Sequence, residues 1–240
     1  MYVLITGASR GIGKAISKHF AMNGYNLVLV CKNNLELLED ISSSFFEYGI
    51  KCHCFKCDVA NCDDVTSLWT TLKSRNISID ILINNAGISH IGLLQDMSDS
   101  EWQNVINTNL NSVFYMSKQA IPNMLSTKNG RIINISSIWG DVGACMEVAY
   151  SASKGGVNAF TKALAKELAP SGISVNAIAF GAIDTEMNSH LSVEERKELE
   201  DSIPASRYGT CDECGKLVYD IAHSPSYLTG AIITMDGGFI

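Results

Sequence analysis

The chain has 240 residues, 46% of them apolar and 18% charged, with 19 glycines and a net charge of −7. That length suits one α/β domain with a sizeable core, and the composition excludes a disordered chain. The acid excess and the absence of any basic stripe disfavour nucleic acid as a partner.

Residues 2–6, Tyr-Val-Leu-Ile-Thr, read as a first strand. They lack the basic leader and long apolar run of a signal peptide. A helix over 11–23, a strand over 26–31 and a helix over 35–48 follow. Strands over 52–57 and 79–83 flank a helix over 63–75. A long helix over 101–125 leads to a strand over 131–136. Then come a helix over 149–169, a strand over 174–179, a helix over 211–222 and a last strand over 232–235. Residues 181–207 are the one long interruption, expected to carry short helices over the site. Strand–helix alternation implies right-handed crossovers and a parallel sheet covered on both faces. Runs such as Val28-Leu29-Val30 and Ile81-Leu82-Ile83 suit strands buried on both sides. The expected architecture is therefore a doubly wound α/β sheet of about seven strands in one domain, 1–240. No stretch reaches the ~18 apolar residues of a spanning helix, so neither a membrane nor secretion is expected and the cytoplasm is.

Eight cysteines are present. In a chain without a secretion signal they are expected as free thiols. Cys52, Cys54 and Cys57 suggest a metal knuckle, but strand alternation puts Cys52 and Cys54 on one face and Cys57 on the other. Cys211 and Cys214 sit at a helix start. No metal is expected.

Between the first strand and first helix lies Thr6-Gly7-Ala8-Ser9-Arg10-Gly11-Ile12-Gly13, with glycines spaced G-x-x-x-G-x-G. One glycine makes the tight turn, and the others let a phosphate and the neighbouring strand approach the backbone. The helix N-terminus then offers N–H groups and partial positive charge to an anion. A turn that merely caps a helix is the plainer reading, outweighed by the position at strand one of an α/β chain.

Three further motifs follow: Asn84-Asn85-Ala86-Gly87, Tyr150-x-x-x-Lys154 and Phe180-Gly181-x-Ile183-x-Thr185. Tyr227-Leu228-Thr229-Gly230 and Asp236-Gly237-Gly238 end the series. In this order and spacing the chain resembles the short-chain dehydrogenase/reductase family from about residue 2 to its end. The resemblance implies a Rossmann-type fold, with a cofactor half over about 1–135 and a catalytic and substrate part over about 136–240. It implies cofactor contacts from Gly7, Ser9, Arg10, Gly11, Ile12 and Gly13. Asp58 and Val59 match the contact to adenine, Asn85, Ala86 and Gly87 would line the cofactor, and Asn84 would brace the sheet. Ile183 and Thr185 would hold the nicotinamide amide. Phe180 stands where the family normally has Pro. The segments 7–13 and 131–154 are most similar to 3-oxoacyl-acyl-carrier-protein reductases. The segments 135–154 and 164–170 also resemble reductases of a 5-aminopentanone group on elongation factor P. A silent cofactor-binding regulatory protein is a third reading, opposed by the intact catalytic residues. Relatives of this kind are usually homotetramers.

Charge selects the cofactor. NAD sites usually place an acid at the end of strand two, and a 2′-phosphate needs a cation there. Here the residues are Cys31-Lys32-Asn33-Asn34, and Arg10 adds a second cation. NADPH is expected.

Tyr150 and Lys154, four apart on a helix, share a face, and both would also touch the cofactor. The Lys ammonium is expected to lower the tyrosine pKa from ~10, readying it to donate a proton to an alkoxide. Ser137, at the end of the fifth strand, would polarise a substrate carbonyl. Asn109 matches the family residue that holds a water linking Lys154 to solvent. A Ser–His–Asp hydrolase is disfavoured, because Ser137 lacks the G-x-S-x-G elbow and His19, His53, His90, His190 and His223 show no evident partner. Trp139 is a candidate substrate wall and His90 a candidate at the substrate mouth, while Trp69 and Trp102 read as packing residues. Asp141 and Glu147, between Ser137 and Tyr150, are expected near the entrance.

Overall fold

The computed structural model describes residues 1–188 and 191–240; His190 lies outside the described residues. Seven strands form one sheet: β1 (Tyr2–Thr6), β2 (Asn26–Cys31), β3 (Cys52–Lys56), β4 (Ile81–Asn84), β5 (Gly130–Ser137), β6 (Ile173–Phe180) and β7 (Ile232–Met235). Their spatial order is β3-β2-β1-β4-β5-β6-β7, and every pairing is parallel. The strands alternate faces with period two. Val3, Ile5, Leu27 and Leu29 enter one core, while Leu4, Val28 and Val30 enter the other.

Helices cover both faces. On one side lie α1 (Gly11–Met22), α2 (Leu35–Ser43) and α9 (Cys211–Ala222), burying Ile16, Phe20, Leu38, Ile41, Cys214 and Val218. On the other, α3 (Cys62–Ser74), α5 (Ser112–Thr127) and α7 (Val148–Leu168) bury Val65, Leu72, Met116, Met124, Ala165 and Leu168. Each large apolar side chain wholly removed from water contributes about 1.5–3 kcal/mol, so these two layers hold the sheet. Cys52 and Cys54 pack toward the first core and Cys57 into the second, as their alternation predicts. All eight cysteines are free, and no cluster of metal-ligating side chains occurs among the described residues. Among those residues no helix is long and apolar enough to cross a membrane.

Three elements depart from the sequence expectation. The helix expected over 35–48 ends at Ser43, and a separate 3-10 turn spans Phe46–Tyr48. Ser43 and Ser44 turn their hydroxyls onto the carbonyls of Glu39 and Ile41, the local competition that ends helices. The helix expected over 101–125 is α4 (Asp99–Ile106), a π turn over Asn107–Asn111, and then α5. The interruption 181–207 carries short helical elements as expected, a 3-10 turn over Glu186–Asn188 and α8 (Val193–Ser202). A four-residue helix, α6 (Trp139–Val142), follows β5.

β1 lies between β2 and β4, so the connections leave it in opposite directions. A crevice opens outside the carboxyl ends of the strands at such a switch point.

Candidate active site

The glycine loop closes this crevice from below. Gly7 and Gly11 adopt positive φ, +64° and +52°, which a side chain would strain. A Cβ on Gly13 would drive into the Gly7 carbonyl oxygen and come within 2.6 Å of Asn85 Nδ2. The segment after β4 is laced onto this loop. Asn85 Nδ2 donates to the carbonyls of Thr6 and Gly7 at 2.9 and 3.1 Å, and Thr6 Oγ1 accepts from the amides of Asn85 and Ala86. Among the described residues no side chain caps α1 and no acid occupies its first turn, so the leading amides remain available to an anion.

A cleft of about 740 Å³ runs from this loop to Tyr150 and Lys154. Its wall includes Gly7, Ser9, Arg10, Gly11, Ile12, Gly13, Lys32, Asp58, Val59, Asn85, Ala86, Gly87 and Thr185. Ser137, Asn109 and Ile183 are buried and set back from that wall. Ile183 bridges to Gly209. The residues present fit a dinucleotide: a helix N-terminus without a cap, glycines where a Cβ would block approach, and cations at the strand-two end. Sequence reasoning missed Asn34 and Leu37, which line the same end. Leu37 carried a signal, being apolar yet off the buried face of α2 (40% exposed). Phe180 also lines the cleft, from the last position of β6, paired with Ser137 and Met235. The Pro-to-Phe change leaves the following turn intact, with the Gly181 amide donating to Met235 O at 3.0 Å. A Cβ on Gly181 would meet Asp236 Cβ at 2.7 Å.

The catalytic candidates converge where β5 ends against α7. Lys154 Nζ donates to Ile135 O at 2.7 Å and stands 5.6 Å from the Tyr150 ring centre. Burial brings the Lys154 pKa down to about 8. The expected lowering of the Tyr150 pKa is not what the structure gives. Burial pushes the phenol up to about 12, a hydrogen bond with Ser137 works against it, and Glu147 raises it further. Desolvation of the charged form outweighs the hydrogen bond, although Tyr150 lies on the cleft wall. Ser137 Oγ also accepts from the Trp139 amide at 3.2 Å.

The π turn exists to present Asn109. Its Nδ2 donates to Ile88 O (2.8 Å) and Ser153 Oγ (3.0 Å), and its Oδ1 accepts from the Ile88 amide (2.9 Å). Both amide hydrogens are thus committed to protein. A Cβ placed on Gly87 would meet Asn109 Oδ1 at 3.4 Å and Lys154 Nζ at 3.6 Å, which locates all three at one wall.

Both cations at the far end are paired. Lys32 Nζ lies 2.8 Å from Asp58 Oδ2, and Arg10 Nη1 lies 2.8 Å from Glu186 Oε2. The structure supplies partners that the sequence did not reveal for three histidines. His19 meets Asp212, His223 meets Tyr25, and His90 approaches Glu101 at 4.0 Å. Trp139 packs edge-on against Phe239 and is not on the cleft wall. Trp69 does pack against the second core. Asp141, exposed, accepts from Asn158 Nδ2 at 2.9 Å.

Fold and site together define a nicotinamide-dependent oxidoreductase. Residues 1–196 match the short chain dehydrogenase family, and the chain belongs to it. It is 38% identical to an uncharacterized oxidoreductase, YmfI, of Bacillus subtilis, over 98% of this chain and 97% of that one. It is 38% identical to the 3-oxoacyl-[acyl-carrier-protein] reductase FabG of Staphylococcus aureus, over 98% and 96%. A 3-oxoacyl-[acyl-carrier-protein] reductase of Synechocystis is 39% identical, over 99% and 96%. A solved structure from Agrobacterium tumefaciens, provisionally assigned as a gluconate dehydrogenase, superposes with a TM-score of 0.94. It is 31% identical, over 99% of this chain and 95% of that one.

Proposed function

We propose that this chain is an NADPH-dependent reductase that converts a ketone to a secondary alcohol, with a 3-oxoacyl thioester or carrier-bound 3-oxoacyl group as substrate. The observation that carries this reading is the convergence of Ser137, Tyr150 and Lys154 at one end of a cleft whose other end presents Arg10 and Lys32. The glycine loop, Asp58, Val59, Asn85–Gly87, Ile183 and Thr185 would hold the cofactor. When bound, the dihydronicotinamide supplies the hydride. Ser137 Oγ–H polarises the carbonyl, and Tyr150 O–H gives its proton to the developing alkoxide. Lys154 steadies the charge left on the phenol, and Asn109 fixes the wall that Lys154 leans on.

One feature supports an acyl substrate. Ile91, Leu93, Leu94, Val142 and Met146, in the segments flanking the catalytic residues, expose apolar surface. The second reading is a ketone bearing an amine, as on elongation factor P. It draws on Glu147, which is near enough to Tyr150 to raise its pKa. The protein is further proposed to act as one domain, in the cytoplasm, as a homotetramer.

The test is cofactor oxidation by the purified chain against acetoacetyl thioesters, simple ketones and an amino-ketone, with NADPH and NADH in parallel. The proposal expects NADPH with a thioester to give the highest kcat/KM. Preference for the amino-ketone would transfer the assignment to the second reading. No turnover on any ketone, with cofactor bound, would leave a silent binding protein.

A further inference from the structure

Arg10 and Glu186 both line the cleft and meet there from 176 residues apart in sequence. Arg10 precedes α1 within the glycine loop, and Glu186 opens the 3-10 turn after Thr185. Their contact is not a chance meeting of two long side chains. Thr185 Cγ2 lies 3.6 Å from where a Cβ on Gly11 would stand, so the two segments touch beside the ion pair. Arg10 Nη1 donates to Glu186 Oε2 at 2.8 Å, and both residues line the cleft. Glu186 thus brings a carboxylate to the arginine at an N-terminus whose own first turn carries no acid.

We infer that Glu186 is a specificity-determining residue that competes with the cofactor's 2′-phosphate for Arg10, tuning NADPH affinity and the NADPH/NADH ratio. This rests on the NADPH reading above. A phosphate carries more charge than a carboxylate and offers three acceptor oxygens to a guanidinium, so it displaces Glu186 rather than being excluded by it. Both side chains are largely exposed (70% and 69%), which keeps the pair weak and the exchange easy. Once displaced, Glu186 remains beside the phosphate as a like charge. NADH has no 2′-phosphate, and so its affinity does not depend on this exchange.

The experiment is a titration of the full chain with NADPH, NADH, 2′,5′-ADP and 5′-AMP by calorimetry, which needs no turnover. Wild type, Glu186→Gln, Arg10→Ala and the double variant are compared. Glu186→Gln is expected to tighten NADPH and 2′,5′-ADP by about two- to fivefold, the range of an exposed ion pair, and to leave NADH and 5′-AMP nearly unchanged. The gain should shrink at high salt and vanish in the Arg10→Ala background. Weaker binding of all four ligands by Glu186→Gln would make the pair a structural strap and overturn the inference, as would an equal gain for NADH or persistence of the gain without Arg10. If Arg10→Ala alone leaves 2′,5′-ADP affinity unchanged, the assignment of Arg10 to the 2′-phosphate is what fails.

Discussion

Tyr150 and Lys154 are both drawn out of water, and burial favours the neutral form of each: it raises the phenol to about 12 and lowers the amine to about 8. The phenol therefore keeps its proton throughout the working range and is always a competent donor. The amine is the group that titrates. Below pH 8 it is an ammonium that steadies the charge left on Tyr150, and above pH 8 that charge is lost. For ketone reduction, kcat/KM for NADPH, which reports the free enzyme, should be level below about pH 8 and fall by up to about tenfold per unit above it. Lys154→Met should abolish that limb, and a wild-type profile level to pH 10 would exclude the assignment. Tyr150→Phe removes the donor without touching the glycine loop. Turnover should drop ~100-fold or more while NADPH binding, read by titration, changes only a few-fold. Near-normal turnover would exclude Tyr150 as the proton source.

At the scale of elements, the loop–helix–loop unit around α1 is what the cleft depends on. Gly13 packs so closely on Gly7 and Asn85 that one methyl group has nowhere to go. Gly13→Ala should cost about 1–3 kcal/mol by denaturant unfolding, as overpacking does, and should impair cofactor binding as well. Gly24 is the control. Its φ is +79° but nothing lies within 4 Å of a Cβ there, so Gly24→Ala should bring backbone strain of about 1 kcal/mol with cofactor affinity unchanged. Equal loss of binding in both variants would refute the packing argument. Much of this unit and of the site was legible in the sequence, because local rules make them: β-branched runs for β1 and β2, glycines at forced turns, and on α7 Tyr and Lys four apart. What was not legible depends on distant partners. The π turn arises because Asn109 reaches back to the backbone of Ile88, 21 residues away, and no pattern within 101–125 encodes that. The direction of the Tyr150 shift was misread because i, i+4 spacing reveals a neighbouring charge but not how much water is excluded. Arg10 was legible as a cation, whereas its partner Glu186 lies 176 residues away and required the fold.

At the scale of the whole molecule, α5 and α7 leave apolar surface open beyond the core they cover. α5 buries Val113, Met116, Ala120 and Met124 and packs Ile121 half-buried at the core's edge, yet leaves Phe114 (45% exposed) and Leu125 (42% exposed) open. α7 likewise buries Val157, Ala165 and Leu168 and leaves Ala163 exposed, while Phe160, half-buried against the second core, shows its remaining edge on the same side. The two outer faces meet in a trough of about 350 Å³, with Lys118 and Glu167 also on its wall. An amphipathic helix needs one apolar stripe; two helices with a second stripe side by side are the signature of an isologous contact between copies. A second exposed apolar region ends the chain, where Tyr227 is fully exposed and Ile240 half-exposed. We propose that both are contacts between copies, which would close a tetramer rather than a dimer. Light scattering at micromolar concentration should therefore give about four times the 26.0 kDa chain mass. A Phe114→Asp, Ala163→Asp variant, at two exposed positions, places like charges in the trough of every copy, where they would face each other across the contact. It should fall to dimers held by the terminal patch, with its circular dichroism spectrum unchanged. A wild-type mass of one chain would defeat the assembly argument outright. A tetramer indifferent to the double substitution would move the contact away from α5 and α7.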